Sequence, residues 1–154
     1  ILRMRVASHR EKITRLCSLR ERLDPLEDFE LWFWAGMHAG THAVNAALHD
    51  AGLTLDDEVF ATQPGVYLVP GPDGTIRPTL HPLADVLHVG RPPVPGTIPK
   101  DIQSMMNAME VIEHHRDPCV RGDRLPTPEI ADECATALRR CVELLGQRLD
   151  RGER

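Results

Sequence analysis

Apolar residues recur at helical spacing in four stretches of the chain, and between the second and third the pattern breaks down. In the first stretch Ile13, Leu16, Cys17 and Leu23 follow Ser8-His9-Arg10-Glu11. That tetrapeptide has the form of a capping box, whose hydroxyl and carboxylate can each satisfy a backbone N–H of the first turn. The sequence therefore predicts a helix beginning at Ser8 and ending at Asp24-Pro25, with Asp24 capping the next element. The second stretch runs from there to Gly52, a residue suited to a left-handed helix cap. The third, about Pro99 to Arg116, carries Ile102, Met105, Met106, Met109 and Ile112 on one side and is expected to stop at Asp117-Pro118. The fourth opens with Thr127 as cap and Pro128 at its first position, then places Ile130, Cys134, Ala137, Leu138, Cys141, Leu145 and Leu149 along one stripe.

Between about residues 62 and 99, prolines interleaved with glycines exclude a long helix. Within this insertion, Gly65 to Val69 and Thr75 to Arg77 flank Pro70-Gly71-Pro72-Asp73-Gly74, the chemistry of a short β-hairpin with a longer loop. Leu83 to His88 is read as one helical turn. An excursion this long in a compact domain often forms a lid or binding loop. The expected fold is all-α: one domain over 1–154, a four-helix bundle with this Pro/Gly-rich insertion and its small hairpin between helices two and three.

Helix two is the informative element. From Leu31 to His49 it contains no Asp, Glu, Lys or Arg, which predicts burial on most sides. Large residues (Leu26, Phe29, Phe33, Met37, Val44, Leu48) form one face. Gly36, Gly40, Ala43 and Ala47 form another, along which a second helix can approach closely. The third face carries Leu31, Trp34, His38, His42, Asn45 and His49. Its four polar members are spaced by four, three and four residues, so they stack in a column. Polar groups taken from water need partners, at a cost of about 1 to 3 kcal/mol each when they lack them.

Three readings of that column follow. His38 and His42 can ligate one divalent metal (Zn, Fe, Mn or Ni), with Glu110 and His114, one turn apart on helix three, completing the set. Alternatively they act as acid, base or hydrogen-bond donors in a metal-free pocket that takes a small molecule, lined also by Trp34, Asn45 and His49 and covered by the insertion. In the third reading the column is satisfied by nearby backbone or by a second copy across a dimer interface. Glu113 stands where a Glu-x-x-His di-iron pattern would need another arrangement, so that motif is absent. His81 and His88 are candidates to complete the site from the insertion. The pair His114-His115 suits a helix C-terminus, and Cys119 lies between Arg116 and Arg121.

Composition narrows the partners. The net charge of −5 argues against a general phosphate-backbone binder, although Arg3, Arg5, Arg10, Lys12, Arg15, Arg20 and Arg22 make the first helix locally basic. Such a strip could attract an anion. Cys17, Cys119, Cys134 and Cys141 have no C-x-x-C spacing, and three of them lie in apolar stripes, so they read as core thiols of a cytoplasmic protein. The N-terminal stretch lacks an apolar signal region, and three His and one Asn interrupt the charge-free run, so no membrane association is expected.

The run Thr41-His42-Ala43-Val44-Asn45-Ala46-Ala47-Leu48-His49-Asp50-Ala51-Gly52-Leu53 resembles the corresponding helix of HEPN-type bundles, and the last helix, with its Ala-Leu-Arg-Arg spacing, is similar. The resemblance covers about a quarter of the chain. It implies a four- or five-helix bundle of a kind often associated with nucleotides or RNA in defence and toxin systems. The family's ribonuclease motif, an Arg followed four to six residues later by His near the last helices, is missing, because no His follows Arg116 or Arg121. The resemblance therefore carries no RNA-cleaving activity, and it adds an alternative to the site reading: a non-catalytic homodimer built through the same helix-two surface.

Overall fold

The computed structural model describes residues 2–55, 60–63, 66–81, 83–90, 92 and 94–152, the side chains of 2–4 and 60–63 excepted. The protein is mostly helical. α1 (Leu2–Glu21), α2 (Phe29–Asp50), α3 (Lys100–Glu113) and α4 (Pro128–Gly152) enclose the main core, and strands β1 (Phe60–Gln63), β2 (Val66–Pro70) and β3 (Ile76–Leu80) lie between α2 and α3.

α1 starts earlier than the capping box predicts. Ser8 lies inside the helix, because the preceding residues continue the helical pattern and Val6 is buried in the core. This upstream turn matters later, since it carries Arg5. Asp24 likewise caps a turn rather than α2 itself: its Oδ1 accepts from the N–H groups of Leu26 and Glu27 at 2.9 and 2.8 Å. Asp28 Oδ2 accepts from the Asp24 N–H, and α2 begins only at Phe29.

α2 is the central helix and packs against each of the other three. Its small residues serve two neighbours. At Gly40 an added Cβ would lie 2.1 Å from Met109 Sδ of α3, and at Gly36 it would lie 3.2 Å from Arg20 Nε of α1. The missing side chains thus admit a methionine on one side and a guanidinium on the other. Arg20 lies 4.2 Å over the Trp32 ring, a cation–π contact, and burial lowers its pKa. α2 closes as the sequence predicts: Gly52 takes φ 72°, and the Leu53 N–H reaches back to the Leu48 carbonyl at 3.0 Å.

α3 and α4 are tied at both ends. Arg148 donates to Asp101 at 2.8 and 3.2 Å and to Asp50 of α2 at 2.9 Å, while His115 pairs with Glu133 at 3.0 Å. Thr127 caps α4 by accepting from the Ile130 N–H at 3.2 Å. Asp117-Pro118 does not end the helical path. The chain widens into a π-helical turn, Asp117–Arg121, a geometry that absorbs the missing proline N–H.

The predicted hairpin is present and gains a strand. β2 and β3 pair antiparallel about a turn in which Gly74 has φ 79° and the Gly71 N–H donates to the Thr75 carbonyl. β1 adds antiparallel to the free side of β2, giving the order β1-β2-β3. Pro78 sits on the edge strand β3, where a missing donor costs least. The helical turn expected at Leu83 to His88 is absent. Those residues run irregularly onto the helices and bury Val86 and Val89 in the main core. Among the described residues no helix is long and apolar enough to cross a membrane. All four cysteines are free thiols, and burial pushes Cys134 and Cys141 up to about 12.

Candidate metal centre

The column on α2 is not uniform. Leu31 is 55% exposed and His38 is exposed, Trp34 and His42 are half-buried, and Asn45 and His49 are fully buried. The gradient has a simple cause. The segment around Asp85 crosses only the C-terminal half of the column, and the upstream turn of α1 closes its side.

Asn45 is the anchor for that crossing. Its Oδ1 accepts from the Val86 N–H at 2.7 Å, and its Nδ2 donates to the Val86 carbonyl at 2.8 Å and to the Thr41 carbonyl at 2.9 Å. A side-chain amide thus pairs with a peptide as a neighbouring strand would, satisfying two buried backbone groups. From the other side the Tyr67 hydroxyl accepts from the Ala84 N–H at 2.7 Å and donates to the Asp85 carbonyl at 3.3 Å. With residues 84 and 86 both held, Asp85 has one direction left, toward α1 and α2.

Its carboxylate receives three cations or potential cations. Oδ1 lies 2.6 Å from His49 Nε2 and 3.1 Å from His9 Nε2. Oδ2 takes the guanidinium of Arg5, one helical turn before His9 on α1. Burial alone would raise the Asp85 pKa, yet hydrogen bonds from His49 and His9, with the charges of His9 and Arg5, hold it well below the usual carboxylate range. The far nitrogens of both imidazoles are also held: His49 Nδ1 by Thr54 Oγ1 at 2.8 Å, His9 Nδ1 by His42 Nδ1 at 2.9 Å. Thr54 reaches His49 because the Gly52 cap turns the chain back over the end of α2. Burial pushes His42 down to about 4, helped by the charges of His9, Lys12 and His38 and opposed by Asp85. His42 is therefore neutral at neutral pH, able to donate from one nitrogen and accept at the other.

His9, His49 and Asp85 offer three ligand atoms within 4.8 Å of one another, the one such group among the described residues. Atoms that share a Zn-sized ion at about 2.0 to 2.2 Å stand about 3 to 3.5 Å apart, so an ion here would draw these atoms in from a spread of up to 4.8 Å and take the place of the imidazole bonds to Asp85. The ligand set expected from sequence does not form. His38 is exposed and stacks near Trp34, with ring centroids 6.1 Å apart. Glu110 and His114 line a separate groove with His88, Glu113 and Arg116. His42 supports His9 from behind rather than standing as the first of an α2 ligand pair. The physical reason is that α3 packs on the Gly40 side of α2, away from the column. His81, the other insertion candidate, packs edge-on against Tyr67. Of the expected residues, His42, Asn45 and His49 belong to the site.

Sequence reasoning missed Arg5, His9, Thr54 and Asp85. The i, i+4 spacing of Arg5 and His9 was a signal, obscured by placing the helix start at Ser8. Asp85 had none, since nothing local distinguishes it from other loop carboxylates. No family model, no curated protein and no solved structure matches this chain.

Proposed function

We propose that the protein is a metal-binding helical-bundle protein whose centre takes one divalent first-row transition ion on His9 Nε2, His49 Nε2 and a carboxylate oxygen of Asp85. Two imidazoles and a carboxylate suit Zn, Fe, Mn or Ni, and three protein ligands leave a coordination position for water or a small molecule. One observation carries the reading: each candidate ligand imidazole has its remote nitrogen on a group that can either donate or accept. With Nε2 protonated and bound to Asp85, His9 and His49 need a donor at Nδ1. With Nε2 on a metal, they need an acceptor there. Thr54 and neutral His42 serve both states, as outer partners of metal-bound histidines do.

A second reading is favoured by Arg5, whose guanidinium already neutralises Asp85. The line Asp85–His9–His42 then works without an ion, and half-buried His42 is its general-base end. Metal analysis separates the two. The 154-residue chain exchanged against Zn, Mn, Ni and Fe(II) should hold about one equivalent by mass spectrometry. Asp85→Asn, which keeps the side-chain shape, should lose it, and His38→Ala should keep it. Wild-type protein that keeps its fold and binds none of these ions above background sinks the metal reading.

A further inference from the structure

We infer that an oxyanion, a compound carrying a phosphate or carboxylate group, binds beside the centre on the α1–α2 seam, with its charged group at Lys12 and His42 and its body toward Trp34. That place lies on the far side of His9 from Asp85, so it does not rest on the metal-centre reading.

The first concerns α1. At about 100° per residue, Arg5, His9 and Lys12 fall within a sector of about 60°, so three basic groups share one side of this helix. That side faces α2: His9 meets His42 at 2.9 Å, and Lys12 follows His9 by three residues on the same side of α1. On the α2 side His38 is exposed one turn from His42. The chain as a whole carries −5, so this seam runs against the overall charge.

The second concerns the acids nearby. Both oxygens of Asp85 are engaged, by Arg5 on one side and His9 and His49 on the other. Glu11, next to Lys12 in sequence, points elsewhere and pairs with Arg15 at 2.6 Å. Lys12 makes no ion pair among the described residues. An exposed cation beside two imidazoles, with Asp85 and Glu11 already paired, attracts anions from solution and holds an oxyanion by charge-assisted hydrogen bonds.

The third concerns shape. Trp34 and His42 are two helical turns apart, about 12 Å along α2. The half-buried Trp34 ring supplies a flat apolar wall at the far end of the seam, beside His38. A ligand with its charged group at Lys12 and His42 and an apolar or aromatic body on Trp34 matches this layout.

The test uses calorimetric titration of inorganic phosphate into the full chain at low ionic strength, with metal content measured on the same samples. Saturable one-to-one binding is expected. Lys12→Glu should weaken it about tenfold and His38→Ala about threefold. Arg10→Glu, the same charge reversal on the opposite face of α1, should leave it within about twofold. Equal losses in Lys12→Glu and Arg10→Glu, or no saturable binding by metal-loaded wild type, would overturn the oxyanion inference while the metal reading stands. Phosphate binding by protein that holds no metal supports the oxyanion site, and the metal content of the same samples bears on the centre by itself. Competition with acetate then assigns the class: displacement points to carboxylates, resistance to phosphates.

Discussion

Around the C-terminal half of α2, His9, His49 and Asp85 converge within 4.8 Å. Beside α3, His88, Glu110, Glu113 and His114 offer the same kinds of ligand atom around an open groove of about 470 Å³, without converging. The residue types do not separate the two places. What separates them is a second and third chain segment aimed at a common point. Asn45 and Tyr67 fix the peptides on either side of Asp85, and the Gly52 cap delivers Thr54 to His49, whereas Glu110 and His114 share only the spacing of one helix. Helical spacing puts side chains on a face; it takes a crossing segment to make them meet.

The largest effect should come from removing the residue on which the buried centre is built. Asp85→Ala removes the carboxylate that Arg5, His9 and His49 share, and breaking a largely buried pair of this kind costs about 3 kcal/mol. Urea denaturation should show it as a lower midpoint at unchanged slope. The double variant with Arg5→Leu should lose less than the sum of the two single losses, since the residues share one ion pair. If Asp85→Ala costs no more than an exposed loop substitution, the centre is not the structural focus described above.

Asn45→Ala should come next, at about 2 kcal/mol, because it leaves the buried N–H and carbonyl of Val86 without partners. Hydrogen exchange gives the sharper readout: the Val86 amide should lose protection while amides in the middle of α4 keep theirs. The same variant should also weaken metal binding, although Asn45 is no ligand, since it holds the peptide that aims Asp85.

These two variants also show how much of the site was legible in the sequence. Asn45, His42 and His49 announced themselves because polar residues in an uncharged helix are conspicuous at any fold. The four helices and the hairpin were equally visible from apolar spacing and from Pro70-Gly71-Pro72-Asp73-Gly74. His9 was hidden by a local signal that lost: the Ser8 to Glu11 box is a good start, but a helix continues upstream whenever the preceding residues bury a side chain, as Val6 does. Asp85 was hidden more deeply. Its place depends on Asn45 and Tyr67, one of them 40 residues away in sequence, and no window along the chain contains such a pairing. Glu110 and His114 were mistaken for partners of the column because spacing cannot say which neighbour a helix face meets. Gly40 decides that by admitting Met109.

Between the two regions in size of effect lies the pH response of His42. Its pKa falls from about 6.5 in the unfolded chain to about 4 in the fold, so the unfolded state binds the extra proton first. The contribution is fully present above about pH 6.5 and is lost as pH falls toward 4. Because His42 is only half-buried, solvent screening reduces it to the order of 1 kcal/mol. Asp85 acts in the same direction at lower pH: its depressed pKa contributes stability above about pH 4 that is lost progressively below. Wild type should therefore weaken in two stages on acidification. His42→Phe, which keeps a ring but removes the titration, should remove the upper stage; a profile unchanged in that variant refutes the assignment.

The smallest effect is expected at the groove beside α3, and it tests the comparison most directly. His114 is exposed and Glu110 only partly buried, so Glu110→Gln and His114→Ala should each change stability by no more than about 0.5 kcal/mol. Metal content should not change, because neither atom belongs to the convergent group. Combining the two should show a coupling of no more than about 0.5 kcal/mol, the size expected for side chains one turn apart on a helix surface. A coupling energy above about 1 kcal/mol, or loss of bound metal in either variant, would mean that spacing on α3 alone assembles a ligand site, and that the crossing segment at Asp85 is not what distinguishes the two regions.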